Sequence, residues 1–223
     1  MIRKLLLSLI SGLPAQAATP ATPPVDARGW IAAAAGHEGA YWQQDRRLEL
    51  PSGAIFIGDP SWGDDYHLGG AQPVPAPALD VWLLISADQG RVHAVWLEAA
   101  GTLPARISAE LDFGMDSAYF ALGDLTTGQD LAELRNRDIE GAPDSFEFFL
   151  PHIQQDGFTA LWLDVPPDGR PVLAINAGND GSRRAVWISD AEGGFSGILI
   201  DVTGRAGDHR FIDLEIGAQP AAP

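Results

Sequence analysis

Three segments of this chain share one design. In LDVWLLISA-DQG-RVHAVWLEA, FTALWLDV-PPDG-RPVLAIN and AVWIS-DAEGG-FSGILIDV, two apolar runs flank a short turn carrying Asp and Gly. Glycine supplies the positive φ that tight turns need, and Asp bonds to backbone close by in sequence. The pattern predicts antiparallel hairpins over residues 79–98, 158–176 and 184–202. Hairpins in succession must bury one face against a second layer, so the expected fold is mainly β, two-layered and sandwich-like, with one to three short inserted helices.

The rest of the chain fits around these hairpins. RLEL-PSG-AIFIGDP predicts two short strands around Pro51-Ser52-Gly53, and HRFIDLEI predicts a closing strand. Helical spacing appears in TTGQDLAELRNR, in PDSFEFFLPHIQQ with Pro151 as a break, and in ARGWIAAAAGHEGAYW, where Asp26 is placed to cap. No repeat of fixed period and no linker interrupts residues 28–217, which are expected to form a single domain.

The first residues read as an address. Arg3 and Lys4 precede the apolar run Leu5–Leu13, and Ala15-Gln16-Ala17 supplies small residues for cleavage, the three parts of a secretory signal. The run is too short to span a bilayer, which takes about 20 apolar residues. The expected organisation is a signal peptide at 1–17, a flexible Pro-rich linker at 18–27 (ATPATPP at its start), the domain at 28–217 and a flexible tail at 218–223. A periplasmic or secreted location follows, with no transmembrane segment in the mature chain. The chain has no cysteine, so neither a disulfide nor a lipidated Cys is open to it, and the fold must be held by packing.

Charge removes several classes of function. The formal net charge is -16, which argues against nucleic acid, whose phosphates require Lys and Arg for counterion release. Lys4 is the only lysine, and its loss with the signal would close Schiff-base chemistry to the mature protein. Asn176–Trp187 has calcium-loop residues at its first, third, fifth and sixth places, but Trp187 stands where a bidentate Glu belongs. Tyr41 stands where a zinc-protease helix would carry its second histidine after His37-Glu38, and GFSGI has Ile198 where a nucleophile elbow ends in Gly. His93 alternates with apolar neighbours and reads as a core or rim histidine. Asp64, Asp65 and His67 gather in one loop, able to pair as acid and base or to hold a hard cation. Of the tryptophans, Trp82, Trp96, Trp162 and Trp187 sit in apolar runs and are expected in the core, whereas Trp42 and Trp62 lie in polar surroundings and are the candidates for an exposed binding platform.

Several of these stretches together resemble a family. NDGSRRAVWISDAEG is similar to the closing motif of a bacterial domain-of-unknown-function family, number 4241, matching at Asp180-Gly181, Trp187, Asp190-Ala191 and Gly193, with Asp201 at the end of the last strand. DSAYFALGD resembles the same family at Asp116, Ser117 and Asp124, and LPSGAIFIGDP resembles its opening strand pair, ending at Asp59-Pro60. The similarity runs from about Leu50 to Val202 in order. This chain departs from the family at Arg183-Arg184, where Tyr-Pro is usual, at Asn179, whose neighbourhood usually carries a tryptophan, and at Ala118, where Gly is usual. The resemblance implies fold and motif positions and carries no reaction.

Asp59, Asp116, Asp124 and Asp180 all fall at the ends of separate apolar runs. If they met at one rim of the sheet they would form a hard-cation site, with calcium as the expected ion; otherwise Asp180 belongs to the Asn179-Asp180-Gly181 bend. The function expected from these features is an exported, non-enzymatic binding or interaction module for a protein or small polar ligand, assisted by calcium if the rim forms. The alternative is a hydrolase using loop or rim carboxylates with His67.

Overall fold

The computed structural model describes residues 40–60, 73–115, 118–136, 148–149, 151–152 and 159–203. Among the described residues, ten strands form two antiparallel sheets. They are β1 (Tyr41–Glu49), β2 (Ile55–Gly58), β3 (Ala78–Ile85), β4 (Val92–Glu98), β5 (Arg106–Met115), β6 (Tyr119–Asp124), β7 (Ala160–Val165), β8 (Arg170–Asn176), β9 (Gly181–Ser189) and β10 (Phe195–Asp201). A helix, α1 (Leu125–Asn136), follows β6 directly. The larger sheet runs β1-β3-β4-β10-β9-β5 and the smaller β2-β6-β8-β7. The mainly-β, two-layered expectation holds.

All three expected hairpins form. In β3–β4 Trp82 lies opposite Trp96, in β7–β8 Trp162 opposite Leu173, and in β9–β10 Trp187 opposite Ile198. Their turns close through local bonds. Gly90 donates its backbone N–H to Ser86, Gly169 to Val165, and Gly193 and Gly194 donate to the Asp190 carbonyl and side chain at 3.2 and 2.6 Å.

Other segments depart from expectation. The strands flanking Pro51-Ser52-Gly53 do not pair with each other: β1 joins β3 in the large sheet and β2 joins β6 in the small one, so this turn is a crossover between layers. Tyr41 and Trp42, read as the end of a helix, begin β1 instead, and Trp42 pairs with Leu84. β5 was hidden in a stretch of weak strand formers; it pairs along its length with β9. The signal, the linker, the remainder of the Asp26 helix, the closing strand and the tail lie outside the described residues.

Alternation along the strands sorts the apolar residues into three clusters. Leu79, Val81, Leu83, Val95, Leu97, Trp187, Ile198 and Ile200 face Ile55, Ile57, Phe120, Leu122, Leu173 and Ile175 across the sandwich. The outer face of the small sheet packs Tyr119, Ala121, Val172 and Ala174 with Leu131 and Leu134 of α1. Helix and sheet approach closely because α1 carries Gly128: a Cβ there would stand 2.8 Å from the Phe56 ring. The outer face of the large sheet carries a third buried cluster, Leu84, Ala94, Trp96, Val186, Ile188 and Leu199, with Trp42 and Trp82 packed against it.

Candidate functional site

The expected acidic rim does not assemble as drawn. Ile55 lies opposite Asp124 and Gly58 opposite Ala121, so Asp59 and Asp124 stand at opposite ends of the β2–β6 ladder. Four residues of strand put them about 13 Å apart along it. Asp116 lies outside the described residues, as do Trp62, Asp64, Asp65 and His67. Among the described residues, no three His, Cys, Asp or Glu side chains are grouped to hold a metal ion.

Asp124 has structural work instead. It is the residue before α1, and one carboxylate oxygen accepts the Thr126 N–H at 2.9 Å and the Thr126 hydroxyl, the geometry of a helix N-cap. Its second oxygen accepts the Ser52 N–H at 2.9 Å and the Ser52 hydroxyl at 2.7 Å, tying the β1–β2 crossover to the helix start. Burial pushes the Asp124 pKa up, but the bonds from Thr126 and Ser52 outweigh it and the carboxyl titrates below its ordinary value. The signal was present in the sequence: an Asp directly before a helical pattern is a cap before it is a ligand.

The Asn176–Gly181 stretch resolves in the same direction. It carries the chain from β8 in the small sheet to β9 in the large one. The Asn176 side chain accepts the Gly178 N–H at 2.8 Å, an Asx-turn, and Gly178 and Gly181 have φ of 79° and 126°. Arg183, only 3% exposed, then clamps the bend. Its Nη2 donates to the Asn179 carbonyl and side-chain oxygens, both at 2.9 Å, its Nε to the Val202 carbonyl at 2.7 Å and its Nη1 to the Ser182 carbonyl at 3.0 Å. Burial lowers the Arg183 pKa, and the charges of Asp201 and Asp180 oppose that shift. Asp180 itself is exposed and acts on Arg183 as a neighbouring charge.

Ala118 adjoins the same crossover, its carbonyl accepting the Ala177 N–H at 2.9 Å. It holds a φ of 58°, the left-handed conformation that glycine adopts without cost.

The clamp walls a cleft. At this end of the large sheet the β3–β4 turn (Asp88, Gln89, Arg91), His93 of β4, the crossover (Ala177, Asn179) and the end of β10 (Val202, Thr203) enclose about 220 Å³. Two connections fix the walls to one another: Arg183 joins Asn179 to Val202, and the Val202 N–H reaches the His93 carbonyl at 3.1 Å; within the β10 wall, Thr203 closes on the buried Asp201 carboxylate at 2.7 and 2.9 Å. Arg91 extends over Gly178, where a Cβ would come within 3.3 Å of its Nη1. His93 is half-buried at the rim, as its alternation predicts. At the other end of the sheet, Gly101, Thr102, Leu103, Ala105 and Asp190–Glu192 line a second depression of about 290 Å³, with Leu103 65% exposed beside it. Ser196, from the incomplete elbow motif, is wholly buried and shares a 2.9 Å hydrogen bond with Thr102.

The tryptophans divide differently from expectation. Trp96 and Trp187 are core, but Trp42 is half-buried against the third cluster rather than free as a platform. Trp82 and Trp162 are also half-buried, each with its indole N–H on a carboxylate: Glu98 at 2.9 Å and Asp45 at 3.2 Å. A bulge between Gln44 and Arg47 turns two residues of edge strand β1 toward Trp162, so that Asp45 takes its N–H and the Arg46 guanidinium lies 4.2 Å from its ring.

No family model, no curated protein and no solved structure matches this chain. The reading of the site therefore rests on its geometry.

Proposed function

We propose that this chain is an exported, non-enzymatic binding module that takes a small polar ligand in the cleft between Arg91, His93, Asn179 and Thr203. The observation that carries this reading is how the cleft is built. Its walls come from three segments distant in sequence, and the side chain joining two of them, Arg183, is buried with four hydrogen bonds. A polar cleft fixed in this way meets a ligand without ordering its own walls, which is where small ligands gain affinity.

Export is supported by the charged start, apolar run and small-residue site of residues 3–17. Membership of the 4241 family belongs to the same proposal, supported by the order of the matching motifs. Calcium assistance would have to use a site other than an Asp59–Asp124 pair, because the strand register separates those two.

Native mass spectrometry of the full chain purified gently from its native host tests the binding reading. A small molecule is expected to co-purify with the wild type and to be lost from Gln89→Trp, which fills the cleft from an exposed turn. Retention of the same molecule by Gln89→Trp would place binding elsewhere.

A further inference from the structure

The cleft's charges identify a ligand class, an inference that rests on the binding reading above. Of the described arginines, Arg91 on the cleft wall and Arg106 at the start of β5 form no ion pair with a described residue. Arg46 lies on Trp162, Arg47 faces Asp80, Arg170 bridges Asp130 and Asp168, Arg183 is saturated, and Arg184 pairs with Asp112 and Glu110. Arg91 is exposed, lines the cleft, and forms no ion pair among the described residues. Its Nη1 lies beside Gly178, where a Cβ would stand 3.3 Å away.

We propose that the cleft binds a small carboxylate carrying at least one hydrogen-bond donor, of hydroxy-acid or amino-acid size, with Arg91 holding the carboxylate. A guanidinium fork matches a carboxylate in two parallel bonds. The opposite requirement comes from the remaining walls. Asp88 carries a carboxylate, an acceptor only, and the Gln89 amide oxygen can accept as well; these call for a donor on the ligand. Size sets the upper bound, since about 220 Å³ is the share of about seven liquid waters. Charge selects a monoanion, because a protein of net charge -16 with Asp88 in the wall disfavours a phosphate dianion.

The experiment is an amide chemical-shift NMR titration of the full, isotopically labelled chain with three probes: lactate, inorganic phosphate and uncharged 1,2-propanediol. It is run on wild type, Arg91→Gln, Gln89→Trp and Arg106→Gln, a surface arginine on β5. Lactate is expected to bind wild type and Arg106→Gln alike, and to lose at least tenfold in affinity in Arg91→Gln and in Gln89→Trp. Phosphate binding tighter than lactate, or lactate binding equally to wild type and Arg91→Gln, overturns the proposal. If 1,2-propanediol binds as well as lactate and is blocked by Gln89→Trp, the cleft remains a binding site and the carboxylate inference alone fails. If no probe is sensitive to Gln89→Trp, the binding reading fails with it. Equal melting temperatures of Arg91→Gln and wild type separate loss of a ligand contact from loss of fold.

Discussion

Replacing Asp124 with Ala removes two structural links of two hydrogen bonds each, and the structure sets the scale of the loss. The first is the cap on α1: removing an Asp N-cap costs about 0.5–2 kcal/mol. The second is the link to the β1–β2 crossover, where the Ser52 N–H and hydroxyl lose a charged acceptor in a part-buried position. An unsatisfied polar group of this kind costs about 1–3 kcal/mol. The sum is about 1.5–5 kcal/mol, or a fall in melting temperature of about 3–20 °C at 2–4 °C per kcal/mol for a domain of this size. Asp124→Asn keeps an oxygen for the cap but presents an amide toward Ser52, so it should fall between wild type and Asp124→Ala. The acid limb gives an independent readout. Because the folded Asp124 titrates below its ordinary value, its contribution is complete above the unfolded carboxylate pKa of about 3.9 and disappears as pH falls through the lower folded value. Urea melts from pH 6 to pH 2 should therefore show a weaker loss of stability with acid in Asp124→Asn than in wild type. An Asp124→Ala protein within 0.5 kcal/mol of wild type, or parallel acid limbs, would refute the staple. A loss that appears only with calcium present would restore the rim-site reading of Asp124.

Three further outcomes follow from the same geometry and a fourth from the sequence. Arg183→Met leaves the Asn179 and Val202 carbonyls unpaired and should cost about 3 kcal/mol in chemical denaturation, whereas its neighbour in Arg184→Ala loses only largely exposed bridges to Asp112 and Glu110 and should cost less than about 1 kcal/mol. Gly197→Ala puts a Cβ 2.4 Å from the Leu97 carbonyl oxygen and the Trp96 ring, and should destabilise by about 3 kcal/mol or prevent folding, seen as loss of soluble protein. Ala118→Gly relieves a left-handed alanine and should raise stability by about 1 kcal/mol in the same melts. N-terminal sequencing of the protein from its native host should begin near Ala18; an intact Met1 on the soluble cytoplasmic form would end the export reading.

What the sequence made legible was local. The β3–β4, β7–β8 and β9–β10 hairpins each combine two apolar runs with a turn whose Gly bonds back within four residues, so their pairing is written in one short stretch. The partner sheet of each strand is written elsewhere. Pro51-Ser52-Gly53 looks like a hairpin turn, and only the long-range pairing of β1 with β3 and of β2 with β6 makes it a crossover. β5 alternates Ile107, Ala109, Leu111 and Phe113 with polar residues, but Ala, Gly, Glu and Asp weaken its propensity and its partner β9 begins 66 residues after it ends, at Gly181 after Met115. The aspartates show the same limit. Each does lie at the end of an apolar run, yet the run's end is fixed locally while the side of the sheet it reaches depends on strand direction, which sends Asp124 and Asp59 apart. Arg183 was legible only as a departure from a familiar motif, because its role depends on Val202 and Asn179, which the fold brings to it.

The central claim is that this end of the sandwich, and no other surface, receives a small polar ligand. Amide chemical-shift mapping of the full, isotopically labelled chain against a panel of small hydroxy acids, amino acids, sugars and polyols tests it most directly. The account predicts saturable shifts confined to the β3–β4 turn, His93, residues 177–179 and residues 202–203, strongest for the hydroxy and amino acids. Shifts centred instead on the depression at Gly101–Ala105 and Asp190–Glu192, or no saturable shift from any member of the panel, would contradict it.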